Sequence, residues 1–283
     1  MSTLLIALPA LLLLTGGGLL ALAPAHSRTT AYGTGLRVRP GTRVRRAGLA
    51  LGAVLACWTA LSGSLGSGLM LAPTAFGACA VLGALGADAL TPRQRGTVRT
   101  AGLTHRRVRD YLPTRLAAVS AAFAAVLATL LVATTATGGA DDLGRAGRSF
   151  ARVCGDVSMT RGPWPGSFYS VPLLAALGVA TALCGLAVHR MARRPAPGGP
   201  GAHAADEARR REGTTAVTAA WGLLVTGSLA GVGVFTAGAL HGIPCASTAT
   251  QAAWWALLPT VAGAAVTAVY CLAVLCAVGG RRP

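Results

Sequence analysis

Long stretches of this chain contain no charged residue at all, and that restricts what it can fold into more than any other feature. Crossing about 30 Å of hydrocarbon takes about 20 apolar residues. Segments 3–25, 47–90, 115–137, 168–188, 214–238 and 253–276 all reach that length, and Asp88 and the boundary residue Arg115 are the only ionisable acids or bases in them. The 47–90 run is too long for one helix. Its middle, Ser62-Gly63-Ser64-Leu65-Gly66-Ser67-Gly68, is turn chemistry, so the run divides into spans at about 47–64 and 69–87. The expectation is an all-α polytopic bundle of seven spans in a single membrane domain over 1–283, six being the alternative. Composition agrees: 53% of residues are hydrophobic and 12% charged, whereas a soluble chain carries about 25% charged.

Arginine distribution predicts the orientation. All 25 basic residues are arginine, and all but Arg145, Arg148, Arg152 and Arg161 fall in alternate connections, at 26–46, 91–115 and 190–213, or in the Arg281-Arg282 tail. Cations flanking spans stay in the cytoplasm. That predicts an outside N-terminus, an inside C-terminus and a cell-membrane location. The net charge of +17 would suggest nucleic acid in a soluble protein. Here topology explains it, so no nucleic-acid partner is expected, whereas anionic headgroups at the inner face are. The rival reading makes 1–25 a cleaved signal peptide, with Ala23-Pro24-Ala25 as a cleavage triplet. Its n-region lacks a basic residue, and cleavage would invert every later loop.

The connections have local signals. Loop 139–167 is the longest outer one and is too short for a core of its own. Loop 190–213 begins Pro195-Ala196-Pro197-Gly198-Gly199-Pro200-Gly201 and should turn helical near Ala204, with Asp206 and Glu207 in the first turn. Loop 91–114 opens Thr91-Pro92, a helix start, and reads as a short interfacial helix. Gly48/Gly52 and Gly227/Gly231 are GxxxG pairs, and Ser120/Ala124/Ala128 is a small-residue row; such spacing lets helices approach closely in lipid. Trp254, Trp255 and Tyr169 mark an aromatic belt at the outer boundary.

Cysteine placement is informative. Cys57, Cys79, Cys184, Cys271 and Cys276 lie within spans, while Cys154 and Cys245 lie in two different outer loops. Two thiols facing an oxidising exterior predict a disulfide between those loops; the alternative is two unpaired thiols. Asp88 is the one carboxylate near a span and so the candidate functional acid, although a local role, pairing with a nearby arginine such as Arg93 or capping a turn, is the favoured reading. His26, His105, His189 and His203 fall on the inner side and His241 on the outer. None is mid-span, so neither a haem nor any other cofactor or metal is expected. A retinal Schiff base needs a lysine, and the chain has none. GxxxxGK[ST], HExxH and GxSxG are all missing, so no catalytic residue is assigned.

The stretch Arg99-Thr100-Ala101-Gly102-Leu103-Thr104-His105-Arg106-Arg107-Val108-Arg109-Asp110-Tyr111-Leu112-Pro113 and the outer Gly162-Pro163-Trp164-Pro165-Gly166 resemble those of uncharacterised multi-pass membrane proteins from actinobacteria. The resemblance implies a membrane protein and no specific activity. Three functional classes remain. The leading one is a non-enzymatic membrane component, permease-like or accessory, working with partner subunits. The others are a membrane-tethered binding module using its arginine loops, and a redox or haem protein.

Overall fold

A computed structural model describes residues 40–62, 67–90, 108–193, 202–241, 243 and 247–278. Six helices account for nearly all of it: α1 (Pro40–Ser62), α2 (Ser67–Ala89), α3 (Thr114–Ala136), α4 (Ser167–Arg193), α5 (Ala202–His241) and α6 (Thr248–Ala277). Each contains a stretch long and apolar enough to cross a membrane. They correspond to the second to seventh expected spans, and the first, at 3–25, lies outside the described residues. The helices outrun the apolar segments that announce them. α1 begins well before residue 47, taking Arg43, Arg45 and Arg46 into the helix, and α5 runs unbroken from Ala202 to His241. Apolar runs mark where a helix meets hydrocarbon, whereas backbone hydrogen bonding continues past that boundary into the interface. Of the expected 91–114 helix, one 3-10 turn at Val108–Asp110 falls among the described residues.

Contacts at the helix ends fix an up-and-down arrangement. The first turn of α1 lies against the last turn of α2, where a Cβ on Gly41 would sit 3.2 Å from the Ala87 carbonyl. Arg210, near the start of α5, donates from Nη1 to the Met191 and Ala192 carbonyls in the last turn of α4 at 2.6 and 3.3 Å. Those carbonyls have no partner within their own helix, and a cation there also suits the helix dipole. Asp206 holds the guanidinium from the other side at 2.7 Å. Thr214 Oγ1 donates to the Tyr111 carbonyl at 2.7 Å, tying α5 to the segment before α3.

α5 is the axis of the bundle. Of its span, 72% is buried, against 22% for α1, α3 and α4. α2 packs on it through small residues. Pro73 of α2 nests against Gly227 and Gly231, and Thr74 Oγ1 hydrogen-bonds Ser228 Oγ across the interface at 2.8 Å. A Cβ on Gly77 would fall 2.5 Å from Leu224 Cα. α1 then docks on the far side of α2, where a Cβ on Gly48 would meet Gly83 Cα at 2.7 Å. Both GxxxG pairs therefore lie in helix–helix contacts. Two further buried hydroxyls on α5 return to their own helix: Thr226 donates to the Gly222 carbonyl and Thr236 to the Val232 carbonyl, so no polar hydrogen from these two side chains is stranded in apolar surroundings.

Substituting alanine for glycine tests this packing directly. Gly77→Ala must displace backbone of α5 and should cost about 1–3 kcal/mol, as overpacking does. Gly178→Ala and Gly185→Ala, on α4 with nothing within 4 Å of either added methyl, should be neutral or stabilising by up to about 1 kcal/mol. Equal thermal shifts for all three in detergent would refute the close α2–α5 contact.

Candidate functional site

The segment between α3 and α4 is more ordered than its composition promises. Phe150–Cys154 (β1) and Val157–Arg161 (β2) form an antiparallel hairpin with Phe150 opposite Arg161 and Cys154 opposite Val157. The Gly155-Asp156 connection turns at Gly155, whose φ of +64° suits a residue without Cβ. Ahead of the hairpin, Asp141 organises its own turn. Its Oδ1 accepts from the backbone N–H of Leu143 and of Arg145 at 3.1 and 2.8 Å, and its Oδ2 accepts from Arg145 Nε at 2.7 Å. Asp142 accepts from Thr160 Oγ1 on β2. The paired carboxylates thus build a loop.

Trp164 fastens this hairpin to the bundle. It is 3% exposed and packs against Ala239, Leu240 and Ile243 at the end of α5, beside Phe150, Trp254 and Leu257. Its indole Nε1 donates to the Thr134 carbonyl near the end of α3 at 2.8 Å. Arg152 of β1 reaches Thr250 Oγ1 in the first turn of α6 at 2.7 Å, where Ser247 caps the helix. One small lid therefore touches the ends of α3, α5 and α6, and Arg148 lies over the Phe168 ring of α4. At the same end His241 stacks on Trp254.

Of the residues singled out in the sequence, Cys154 ends β1. It is not among the free thiols of the described residues, which are Cys57, Cys79, Cys184, Cys271 and Cys276, and it is engaged in an interaction. Among the described residues no two cysteines stand at disulfide distance, and Cys245 lies outside them. Asp88 sits half-buried in the last turn of α2 and also has an interaction partner. His189 and His241 are exposed at opposite ends of the bundle, while His26 and His105 lie outside the described residues. No three His, Cys, Asp or Glu side chains among the described residues group as metal ligands.

Arg45 is the residue the sequence reading placed wrongly. Counted there as a loop cation, it lies in α1 at 6% exposure, and its Nε has no hydrogen-bond partner among the described residues. The usable signal was its position one turn before Leu49, itself 1% exposed, which puts both on one helix face. Ser120 Oγ is the second buried atom without a partner among the described residues. It lies where α3 crosses α5, close enough that a Cβ on Gly222 would come within 2.6 Å of it and 2.9 Å of Cys271 Sγ.

No protein-family model, curated protein or solved structure matches the chain.

Two outcomes follow at the lid. Removing the Trp164 N–H with Trp164→Phe leaves the Thr134 carbonyl only the long 3.5 Å hydrogen bond from Thr137 Oγ1 and should cost about 1–2 kcal/mol, whereas Phe168→Leu, at an exposed ring, should cost less. For Asp141, partial desolvation pushes the pKa up, but the hydrogen bonds from Arg145 and Leu143 and the Arg145 charge outweigh it and hold the pKa below the ordinary value. A depressed folded pKa means the turn's stabilisation is complete above the unfolded value of about 3.9 and is lost as pH falls through the lower folded value. Protection of the Leu143 and Arg145 amides, taken relative to their intrinsic exchange rates, should fall across that acidic window, and Asp141→Asn should lack that fall. An identical pH profile in wild type and Asp141→Asn would contradict this.

Proposed function

We propose that this chain is a non-catalytic, accessory component of the cell membrane, with seven spans, an outside N-terminus, an inside C-terminus and a covalently anchored outer lid. One observation carries the reading: the centre of the bundle is filled by α5, which meets α2 through glycine, proline and a Thr74–Ser228 hydrogen bond. A permease needs a polar path through its core with groups that exchange partners during transport. Midway along α5, Thr226 and Thr236 instead hydrogen-bond within their own helix and Ser228 bonds α2, and the aliphatic core closes around them. Such a bundle suits a rigid element that displays its two ends to partner subunits.

The six membrane-length helices and the arginine content of 26–46, 91–115 and 190–213 support the orientation. The first span, 3–25, is needed to place residue 2 and the hairpin on one side. Reporter fusions test it: those at residues 40, 100, 200 and 283 should read cytoplasm, and those near 2, 150 and 247 should read outside. A cytoplasmic signal from the 139–167 loop would overturn the orientation.

The lid's covalent anchor is the Cys154–Cys245 disulfide. Two facts support it. Cys154 is outside the set of free thiols, and its neighbour Arg152 bonds Thr250, which carries β1 to within a few residues of Cys245 in sequence. Such a bond needs Cα atoms within about 4.4–6.8 Å and would close a loop of about 90 residues, worth on the order of 4 kcal/mol. Cys154→Ser, Cys245→Ser and the double mutant should therefore lose equal thermal stability under oxidising conditions. Maleimide labelling of both thiols in the untreated protein would rule the bond out.

A further inference from the structure

Arg45 has an unmet requirement. Its side chain is 94% withdrawn from solvent, yet its Nε–H has no acceptor. A desolvated guanidinium is costly unless its donors are satisfied. The charge of Glu212, half-buried on α5, acts on it favourably, and that of Arg46 acts against it. None of the ion pairs within 4 Å among the described residues joins Glu212 to Arg45. No acid among the described residues therefore forms an ion pair with Arg45 within 4 Å.

Its depth narrows what can complete it. Arg45 lies five residues into α1, about 7 Å along the axis at 1.5 Å per residue. All 23 residues of α1 span about 34 Å, slightly more than the hydrocarbon thickness. That places Arg45 near the boundary between acyl chains and headgroups, at the end of the bundle where the arginines gather. Arg43 and Arg46 are exposed beside it, and the N-terminal end of α1 adds the positive pole of a helix dipole.

We propose that Arg45, with Arg46, binds a phosphate group at this end of the bundle, supplied in the membrane by an anionic phospholipid headgroup. The guanidinium presents its donors in a fixed planar fork that suits phosphate oxygens, which a lysine cannot do. Glu212 then acts as a competitor that limits affinity. The proposal rests on the membrane reading and adds to it a defined ligand site.

The test uses the full chain, delipidated in neutral detergent, with thermal stability read against added phosphatidylglycerol, diacylglycerol of the same chains, and inorganic phosphate. Phosphatidylglycerol should stabilise and diacylglycerol should not. Stabilisation by inorganic phosphate equal to that by phosphatidylglycerol would support the phosphate site and assign its occupant to free phosphate. Arg45→Met should weaken the phosphatidylglycerol response about tenfold or more, while Arg43→Met, an exposed arginine on the same helix, should change it little. Glu212→Gln should strengthen it, and this arm decides the matter if Arg45→Met fails to fold. Equal losses from Arg43→Met and Arg45→Met, a weaker response in Glu212→Gln, or no preference for phosphatidylglycerol over diacylglycerol would each overturn the proposal. Those failures leave the membrane reading intact. A chain that stays folded and monomeric without detergent would count against the membrane reading instead.

Discussion

Close backbone approach between α2 and α5 is the contact on which the other helices depend. In hydrocarbon, apolar side chains gain nothing by leaving lipid for protein, so helices associate through dispersion and hydrogen bonds, which demand short distances. Gly77, Gly227 and Gly231 provide those distances, and the hydrogen bond between Thr74 and Ser228 fixes the register. α6 and α3 pack on other faces of α5, and α1 reaches the bundle through α2. Pro73 is tolerated inside α2 because its ring fills the groove those glycines leave.

The two ends of the bundle solve different problems. At the hairpin end, backbone groups at several helix termini need partners, and one lid supplies them: Trp164 to Thr134, Arg152 to Thr250, and an aromatic cluster over the end of α5. At the other end the difficulty is excess positive charge. Arg210 resolves its share internally, through Asp206 and the α4 carbonyls. Arg45 does not, and that contrast between two arginines of similar burial makes Arg45 the candidate for an external ligand.

How much was legible in the sequence follows from what each signal measures. Apolar runs located all six described helices because hydrocarbon acts on mean composition, and the Gly/Ser cluster at 62–68 correctly divided the 47–90 run. They missed the start of α1, since Arg45 is compatible with both helix and loop, whereas the acidic pair Asp206-Glu207 did announce a helix near Ala204, two residues after α5 begins. The GxxxG pairs were present in a glycine-rich chain where such spacing arises by chance, so only packing could show which mattered. The hairpin escaped notice because Phe150–Arg161 alternates weakly and includes two arginines, and its order comes from Trp164 and the turn at Asp141 rather than from strand propensity. Arg45 escaped for the opposite reason. Charge pattern assigns every arginine near a span to the interface, and burial is visible only once α1 lies on α2.

Amide hydrogen exchange of the full chain in detergent micelles tests the central position of α5 most directly, because exchange reports local opening rather than mere exclusion from water by detergent. The account predicts that residues 216–236 of α5 exchange slowest in the molecule, that α2 around Gly77 follows, and that α1 exchanges markedly faster because it is held on one side only. Exchange in α5 as fast as in α1 would show that the glycine-mediated contacts do not organise the bundle.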